Sequence, residues 1–349
     1  MQKERVTMRI SLERYAAVFA TGIVLLTSCS GFALVSTPNA GRQNQARTIK
    51  HGTRSCPCLY VANNGGGPSG AGSVTVYPSG AMGNAKPIQV IAGSNTGLTE
   101  PEDVAVDAGG NMYVSNDGNN SVTVYAAGTT GDVAPMQTIT GSYTGLSSPF
   151  GVAIDPLNEN IYVANKKGKS ITAYAPGSTG NTAPVATLKG RDTLLDKPAG
   201  LAFDAKGDLY ATVLEFGLIC IFAPGSTGDA SPIGGFGGRG SKLSVPYAVA
   251  LDSSSSAYVA NDQVYEDHDS LLVYAAGTNV PVQRIKGRGT QLRFPDGIAV
   301  DGSGNIYAAD HNYDRITVYA AGSNGAAAPD RILRGSRTGI VRPAGIVIR

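Results

Sequence analysis

The feature that most constrains this chain is a segment of 48 or 49 residues that occurs six times. A proline opens each copy, at Pro101, Pro149, Pro198, Pro246, Pro295 and Pro343. A tyrosine recurs with a similar period, at Tyr60, Tyr113, Tyr162, Tyr210, Tyr258 and Tyr307. Self-similarity at a fixed period of this length is typical of repeat architectures, so we expect one structural unit to be built six times.

Each copy contains four short apolar runs, which we call a, b, c and d. In the second copy they are FGVAID (150–155), IYVAN (161–165), SITAY (170–174) and PVATLKG (184–190). Turn-forming clusters separate them, and only 15% of the chain is charged while 46 residues are glycine. Four short strands per repeat indicate the blade of a β-propeller, so the predicted fold class is an all-β propeller of six four-stranded blades.

The order of the runs predicts how the ring closes. The repeat region begins with a run of type b, CLYVAN, and ends with a run of type a, PAGIVIR (343–349). The last strand a can therefore join the first strands b, c and d in one blade. Closure of this kind leaves few exposed strand edges, which are a liability in β-proteins.

The copies share the pattern PxGxAVDxxGNxYVADxxxxRITVY, which resembles the NHL-repeat family of six-bladed propellers. The resemblance extends over nearly all of residues 59–349. It implies the fold but not one activity, because this architecture carries lyases, lactonases, receptors and scaffolds.

The N-terminus has the pattern of an export signal. A basic start precedes the apolar run of residues 15–26, which is too short to cross a bilayer and suits a secretory signal. The following LTSC resembles the bacterial lipobox, which implies that Cys29 is lipidated. Either Met1 or Met8 can be the start.

These features predict three regions: a lipoprotein signal peptide (1–29), a flexible tether (30–58) and the propeller (59–349). The tether is inferred from its polar, aperiodic sequence. We therefore expect an exported protein, lipid-anchored in the cell envelope, either at the outer membrane and periplasm or at the cell surface.

The residue after each repeat proline is expected at the mouth of the central channel. Two of the six, Glu102 and Asp296, resemble the metal-binding Glu and Asp of the lactonase group that includes gluconolactonase. Ala199 and Tyr247 stand where that group has Asn, so only half of the metal site matches. Loop residues add further weak candidates for a Ca, Zn or Mn site, namely His268, Asp269, Asp310 and His311.

Other residues predicted near the mouth favour binding rather than catalysis. Lys197, Arg293 and Arg342, together with Phe150 and Tyr247, suit an anionic and partly apolar ligand. We expect Arg293 and Arg342 also to neutralise the two mouth carboxylates without a metal.

Two hypotheses therefore stay open. The first is a monomeric, non-catalytic module that binds an unknown protein, a glycan or a small anionic ligand through its variable b–c and d–a loops. The second is a divalent-metal-dependent lyase or lactonase-like hydrolase that uses Glu102 and Asp296. A net charge of +2 and predicted export both argue against a nucleic-acid partner.

Overall fold

The computed structural model describes residues 57–66, 71–262 and 269–349. In these ranges the chain forms six antiparallel sheets of four strands, and their innermost strands contact one another in cyclic order. The predicted all-β, six-bladed propeller is thus confirmed. The described residues include two short 3-10 helices, Arg288–Thr290 and His311–Tyr313, and no helix with the length and hydropathy to span a membrane.

Each blade presents its strands in the order a, b, c, d from the channel outward. The first three strands of the chain are β1 (Cys58–Asn63), β2 (Ser73–Pro78) and β3 (Gln89–Ile91). Blade 1 contains β4 (Pro101–Val106), β5 (Met112–Asn116), β6 (Ser121–Tyr125) and β7 (Gln137–Thr140). Blade 2 contains β8 (Pro149–Ile154), β9 (Ile161–Asn165), β10 (Ser170–Tyr174) and β11 (Ala186–Leu188).

The remaining blades repeat this arrangement. Blade 3 contains β12 (Pro198–Phe203), β13 (Leu209–Val213), β14 (Leu218–Phe222) and β15 (Gly234–Gly237). Blade 4 contains β16 (Val245–Leu251), β17 (Ala257–Asp262), β18 (Ser270–Tyr274) and β19 (Gln283–Lys286). Blade 5 contains β20 (Pro295–Val300), β21 (Ile306–Asp310), β22 (Arg315–Tyr319) and β23 (Arg331–Arg334).

Blade 6 closes the ring as the sequence predicts. Its strand a is β24 (Pro343–Ile348), which pairs antiparallel with β1 and is followed outward by β2 and β3. Backbone hydrogen bonds extend this pairing to Arg349 and Cys58, the last residue of the predicted tether. The predicted signal peptide with Cys29, and residues 30–56 of the predicted tether, lie outside the described residues.

The core lies between blades rather than within one of them. Strands b and c are mostly buried along their whole length, because each blade is covered on both faces by its neighbours. Each core cluster combines residues of two neighbouring blades, as between blades 2 and 3. Burial of strands on both faces explains why their sequences are continuous apolar runs rather than alternating ones.

A tyrosine hydroxyl links most neighbouring blades. In five blades a Tyr is the last or next-to-last residue of strand c, and its hydroxyl donates a hydrogen bond to a backbone carbonyl in the d–a loop of the preceding blade. The Tyr125 hydroxyl, for example, lies 2.5 Å from the Thr96 carbonyl oxygen. Blade 3 has Phe222 at this position and cannot form the bond. We refer to these bonds as the tyrosine links.

The aspartate that follows strand a forms turns, as expected from its side chain. In Asp107 the two carboxylate oxygens accept hydrogen bonds from the backbone and side-chain nitrogens of Asn111, both at 2.8 Å. Burial alone would raise the pKa of Asp107, but these hydrogen bonds lower it below its ordinary value. Asp301 and Asn305 repeat the arrangement in blade 5.

Candidate functional site

A β-bulge at the start of each strand a directs one side chain toward the channel. The strand register shifts just after the repeat proline in blades 1 to 5, and in β1 opposite β24 in blade 6. A bulge changes the direction of side chains locally. The structure thereby brings four of the predicted mouth residues, Glu102, Phe150, Tyr247 and Asp296, to one cavity of about 280 Å³ in the channel.

Glu102 is a carboxyl group in an unfavourable environment for charge. Burial raises its pKa to about 8, and the negative charge of Asp296 adds to this, while Lys166 opposes it in part. The side-chain amide of Asn64 donates a hydrogen bond to Glu102 Oε1 at 2.9 Å. With Oε1 accepting from the amide, Oε2 is the oxygen on which Glu102 can carry its proton at neutral pH.

Asp296 faces His311 at the same mouth. The Asp296 Oδ2 and His311 Nδ1 atoms are 3.3 Å apart, with 5% and 18% of the two side chains exposed. The approach is close enough for an ion pair, but its angles are not those of a hydrogen bond. Asp296 Oδ1 and His311 Nδ1 are both buried and lack a hydrogen-bond partner among the described residues. Buried polar atoms without partners are rare in folded proteins and are expected where a ligand is bound.

An aromatic wall flanks these polar groups. The ring centroids of Phe150 and Tyr247 are 6.1 Å apart, and those of Tyr247 and Phe294 are 5.0 Å apart. The Lys166 ammonium lies 4.3 Å above the Phe150 ring. Burial and nearby carboxylates raise the pKa of Tyr247, so its hydroxyl stays neutral.

A third carboxylate, that of the half-buried Asp103, also lines the cavity. Asp103 accepts hydrogen bonds from the backbone nitrogens of Val104 (2.8 Å) and of Val152 in the next blade (3.0 Å). Burial raises its pKa to about 7, although these two donors lower it in part. Sequence reasoning missed Asp103, but comparison of the copies could have found it. The equivalent residues are Gly151, Gly200, Ala248, Gly297 and Gly345.

The cationic residues predicted at the mouth make contacts other than the expected ones. Lys197 pairs with Glu215 at 2.5 Å in an exposed ion pair, and Arg293 lines a separate recess between blades. Arg342 donates from Nη2 to the Asn64 carbonyl oxygen at 3.2 Å. Within the described residues no ion pair joins Arg293 or Arg342 to Glu102 or Asp296, so the expected arginine neutralisation is not formed.

The predicted metal-binding loop residues have structural contacts. Asp310 is ion-paired with the buried Arg315, and burial raises its pKa to about 6 against the opposing effect of that arginine. Asp269 accepts a hydrogen bond from the backbone nitrogen of Phe294. His268 lies outside the described residues. Of the described members of this set, His311 lies beside the mouth residue Asp296.

The donor set at the mouth does not fit the metal site of the lactonase group. Within the ranges that the structure describes, no three His, Cys, Asp or Glu side chains are grouped to hold a metal ion. Ala199 offers no ligand, Tyr247 keeps its proton, and Glu102 is largely neutral below pH 8. A divalent cation prefers ionised oxygen ligands, so we assign no metal-dependent step to this site.

Comparison with known proteins agrees with this architecture. The family model described as SMP-30/Gluconolactonase/LRE-like region matches residues 30–231, more than half of the chain. No curated protein matches the chain by sequence. Solved structures with the same fold include a protein of unknown function from Bacteroides caccae, which has a TM-score of 0.59 and 13% identity over 84% of this chain and 99% of that one.

Two further solved structures have similar scores. The periplasmic gluconolactonase of Pseudomonas aeruginosa has a TM-score of 0.55 and 16% identity, covering 83% of this chain and 85% of its own. A chain of a nidogen/laminin complex has a TM-score of 0.57 and 16% identity, covering 84% and 98%. At these identities the likeness establishes the fold alone.

Proposed function

Because the chain belongs to the SMP-30/gluconolactonase/LRE-like family, we propose that it hydrolyses a small neutral cyclic ester, a lactone, at the mouth of its central channel. One observation carries the proposal. A largely neutral Glu102 and Asp296 line the same cavity, and His311 lies beside Asp296. Asp296 Oδ1 and His311 Nδ1 have no hydrogen-bond partner among the described residues. Groups with perturbed pKa values and unmet hydrogen bonds concentrate at functional sites.

In this proposal His311, beside Asp296, is the general base of ester hydrolysis, and Glu102 is the general acid. His311 accepts a proton from a water molecule through Nε2, and the water oxygen attacks the ester carbonyl carbon. Asp296, next to Nδ1, stabilises the imidazolium that forms. Glu102 Oε2 donates a hydrogen bond to the carbonyl oxygen and then its proton to the ring oxygen as the ester C–O bond breaks. The proton on His311 returns to Glu102 through solvent.

The charge of the mouth selects a neutral substrate. Asp296 lines the cavity, and Asp103 adds negative charge as the pH rises through 7, so an anion entering the cavity meets like charge. A lactone is neutral, and its hydrolysis product is a carboxylate, which these groups repel. The aromatic wall of Phe150 and Tyr247 can cover the apolar face of a sugar-sized ring.

We expect the full-length protein to hydrolyse a panel of δ-lactones, including glucono-1,5-lactone, with or without chelator. Glu102→Gln, Asp296→Asn and His311→Gln should each lower kcat/KM by about 100-fold or more, as for loss of a general acid or base. Acid release measured with a pH indicator reports the rate. Because the raised pKa of Glu102 is about 8, the rate should fall above that pH.

The matched control is Glu159→Gln, an exposed carboxylate in an a–b turn at the opposite end of the propeller. It should leave the rate unchanged. Equal rates for the three site variants and the wild type, or activity that chelator removes, would refute the proposed mechanism.

A second candidate is a binding module without catalysis, which the aromatic wall favours. The Phe150, Tyr247 and Phe294 rings form a continuous surface on which a sugar or another flat ring can stack. In that case glucono-1,5-lactone or its acid raises the melting temperature without turnover. Glu102→Gln then leaves affinity unchanged, and Tyr247→Ala removes it.

We further propose that the propeller is of the NHL type and is held in the cell envelope by lipid on Cys29. The blade pattern supports the first statement, and the LTSC sequence after a short apolar run supports the second. Expressed in a bacterial host, the wild type should fractionate with membranes. Cys29→Ser should instead be released into the soluble fraction, and retention of this variant on membranes would contradict the anchor.

A further inference from the structure

Two recesses of the same construction lie between neighbouring blades, outside the channel. Each is formed by a d–a loop and by the b–c loop of the following blade. The arginine recess, of about 570 Å³, is lined by Gly287, Arg288, Gln291, Leu292, Arg293, Tyr313 and Arg315. The second recess, of about 660 Å³, lies between blades 2 and 3, and we call it the apolar recess after Leu194, Leu195 and Phe216. Its lining also includes the charged residues Lys169, Lys189, Arg191, Asp192 and Asp196.

The repeat makes the two recesses directly comparable. Gln291 and Tyr313 of the arginine recess occupy the positions of Leu194 and Phe216. Arg315, the first residue of strand c in blade 5, is equivalent to Leu218 in blade 3. Arg191 of the apolar recess is equivalent to Arg288, whereas Arg293 and Arg315 correspond to Asp196 and Leu218. Arginine at positions 293 and 315 is therefore not a requirement of the fold.

Arg315 is fixed by its contacts. It is buried, and its Nε and Nη2 atoms lie 2.6 and 2.5 Å from Asp310 Oδ2, while Nη2 also donates to the Gln291 carbonyl oxygen. Its guanidinium lies 4.9 Å from the centre of the exposed Tyr313 ring. Nη1 makes no hydrogen bond to any residue in the described part of the chain, which leaves donors of an immobilised group facing the recess.

Arg288 and Arg293 add positive charge to the arginine recess. Both are exposed, and neither side chain forms an ion pair within the described ranges. Asp310 already pairs with Arg315, and Asp269 accepts a hydrogen bond from the Phe294 backbone. Three guanidinium groups thus line one recess, and two carboxylates of the described residues, Asp269 and Asp310, have contacts of their own.

We propose that the arginine recess binds a small oxyanion, as phosphate or as a polycarboxylate. Guanidinium groups present paired N–H donors in a plane, which match the oxygens of phosphate and carboxylate. One immobilised arginine and two mobile ones can surround a tetrahedral or branched anion from three sides. The site is distinct from the acidic channel mouth and does not depend on the proposed hydrolysis.

The test uses the full-length protein and inorganic phosphate, with citrate as the polycarboxylate, at constant ionic strength set with NaCl. Arg288→Ala/Arg293→Ala should weaken phosphate or citrate binding by about tenfold or more in calorimetry, because two of three charged donors are lost. The matched control is Arg334→Ala/Arg337→Ala, two exposed arginines of the next d–a segment, and it should change affinity by less than about twofold.

A measurement on the wild type keeps the test independent of variant folding. Phosphate should shift the NMR signals of the side-chain Nε–H groups of Arg288, Arg293 and Arg315, and leave those of Arg334 and Arg337 in place. Any of three results would overturn the proposal. Both double variants could weaken anion binding equally, phosphate could shift the NMR signals of all exposed arginines, or binding could fail to saturate below about 10 mM.

Discussion

Deletion of residues 343–349 will abolish the cooperative fold. These residues form β24, the innermost strand of blade 6, which pairs with β1 and packs between β20 and β4. Removing it leaves an unpaired edge on β1 and exposes the apolar faces of blades 5 and 1. The loss cannot stay local, because each blade is covered on both sides by its neighbours.

Circular dichroism melting and size-exclusion chromatography will report the result. We expect aggregation, or a broad transition in place of a single cooperative one. The control moves the strand rather than removing it. In the truncated chain, the sequence PAGIVI and then the turn DGSGN of residues 301–305 are inserted before Cys58. This variant should regain the fold. A soluble truncated protein with one sharp transition would show that β24 does not close the ring.

Glu102→Gln will change how stability depends on pH. The folded state raises the pKa of Glu102 from 4.5 to about 8, so the folded state holds this proton more tightly than the unfolded chain does. The stabilisation is fully present below pH 4.5 and is lost as the pH rises through 8. At 1.36 kcal/mol per pKa unit, and allowing for partial exposure, its loss is on the order of 3 kcal/mol.

Denaturant unfolding at pH 5 and at pH 9 measures this difference. The wild type should lose more of its free energy of unfolding between the two pH values than Glu102→Gln does. Asp103, with its pKa raised to about 7, contributes in the same direction in both proteins and therefore cancels in the comparison. The exposed Glu159→Gln serves as the control and should follow the wild type. Parallel pH profiles for Glu102→Gln and the wild type would exclude a buried, neutral Glu102.

The sequence predicted the frame of the molecule closely because the repeat supplies six observations of each position. In blade 2, the predicted b and c runs coincide with β9 and β10, and the a and d runs differ only at their ends. Position in the repeat also placed Glu102 and Asp296 at one mouth, since equivalent residues face the same channel.

The partners of those two residues could not be predicted in this way. His311 and Asn64 reach the mouth from b–c loops, whose lengths and conformations vary between copies. Arg293 was misplaced because Phe294, between it and Pro295, has a positive φ of 56°. A left-handed residue turns the chain, so strand alternation no longer tells where the preceding side chain lies.

The tyrosine links divide the interfaces between neighbouring blades, which we call joints, into two kinds. Five joints combine apolar packing with a buried hydrogen bond, whereas the joint between blades 2 and 3, at Phe222, relies on the largest of the apolar clusters. Hydrophobic attraction weakens on cooling, while a buried hydrogen bond has no such dependence. Near freezing, the propeller should therefore loosen first at the Phe222 joint, beside the apolar recess, and heating should not single out this joint.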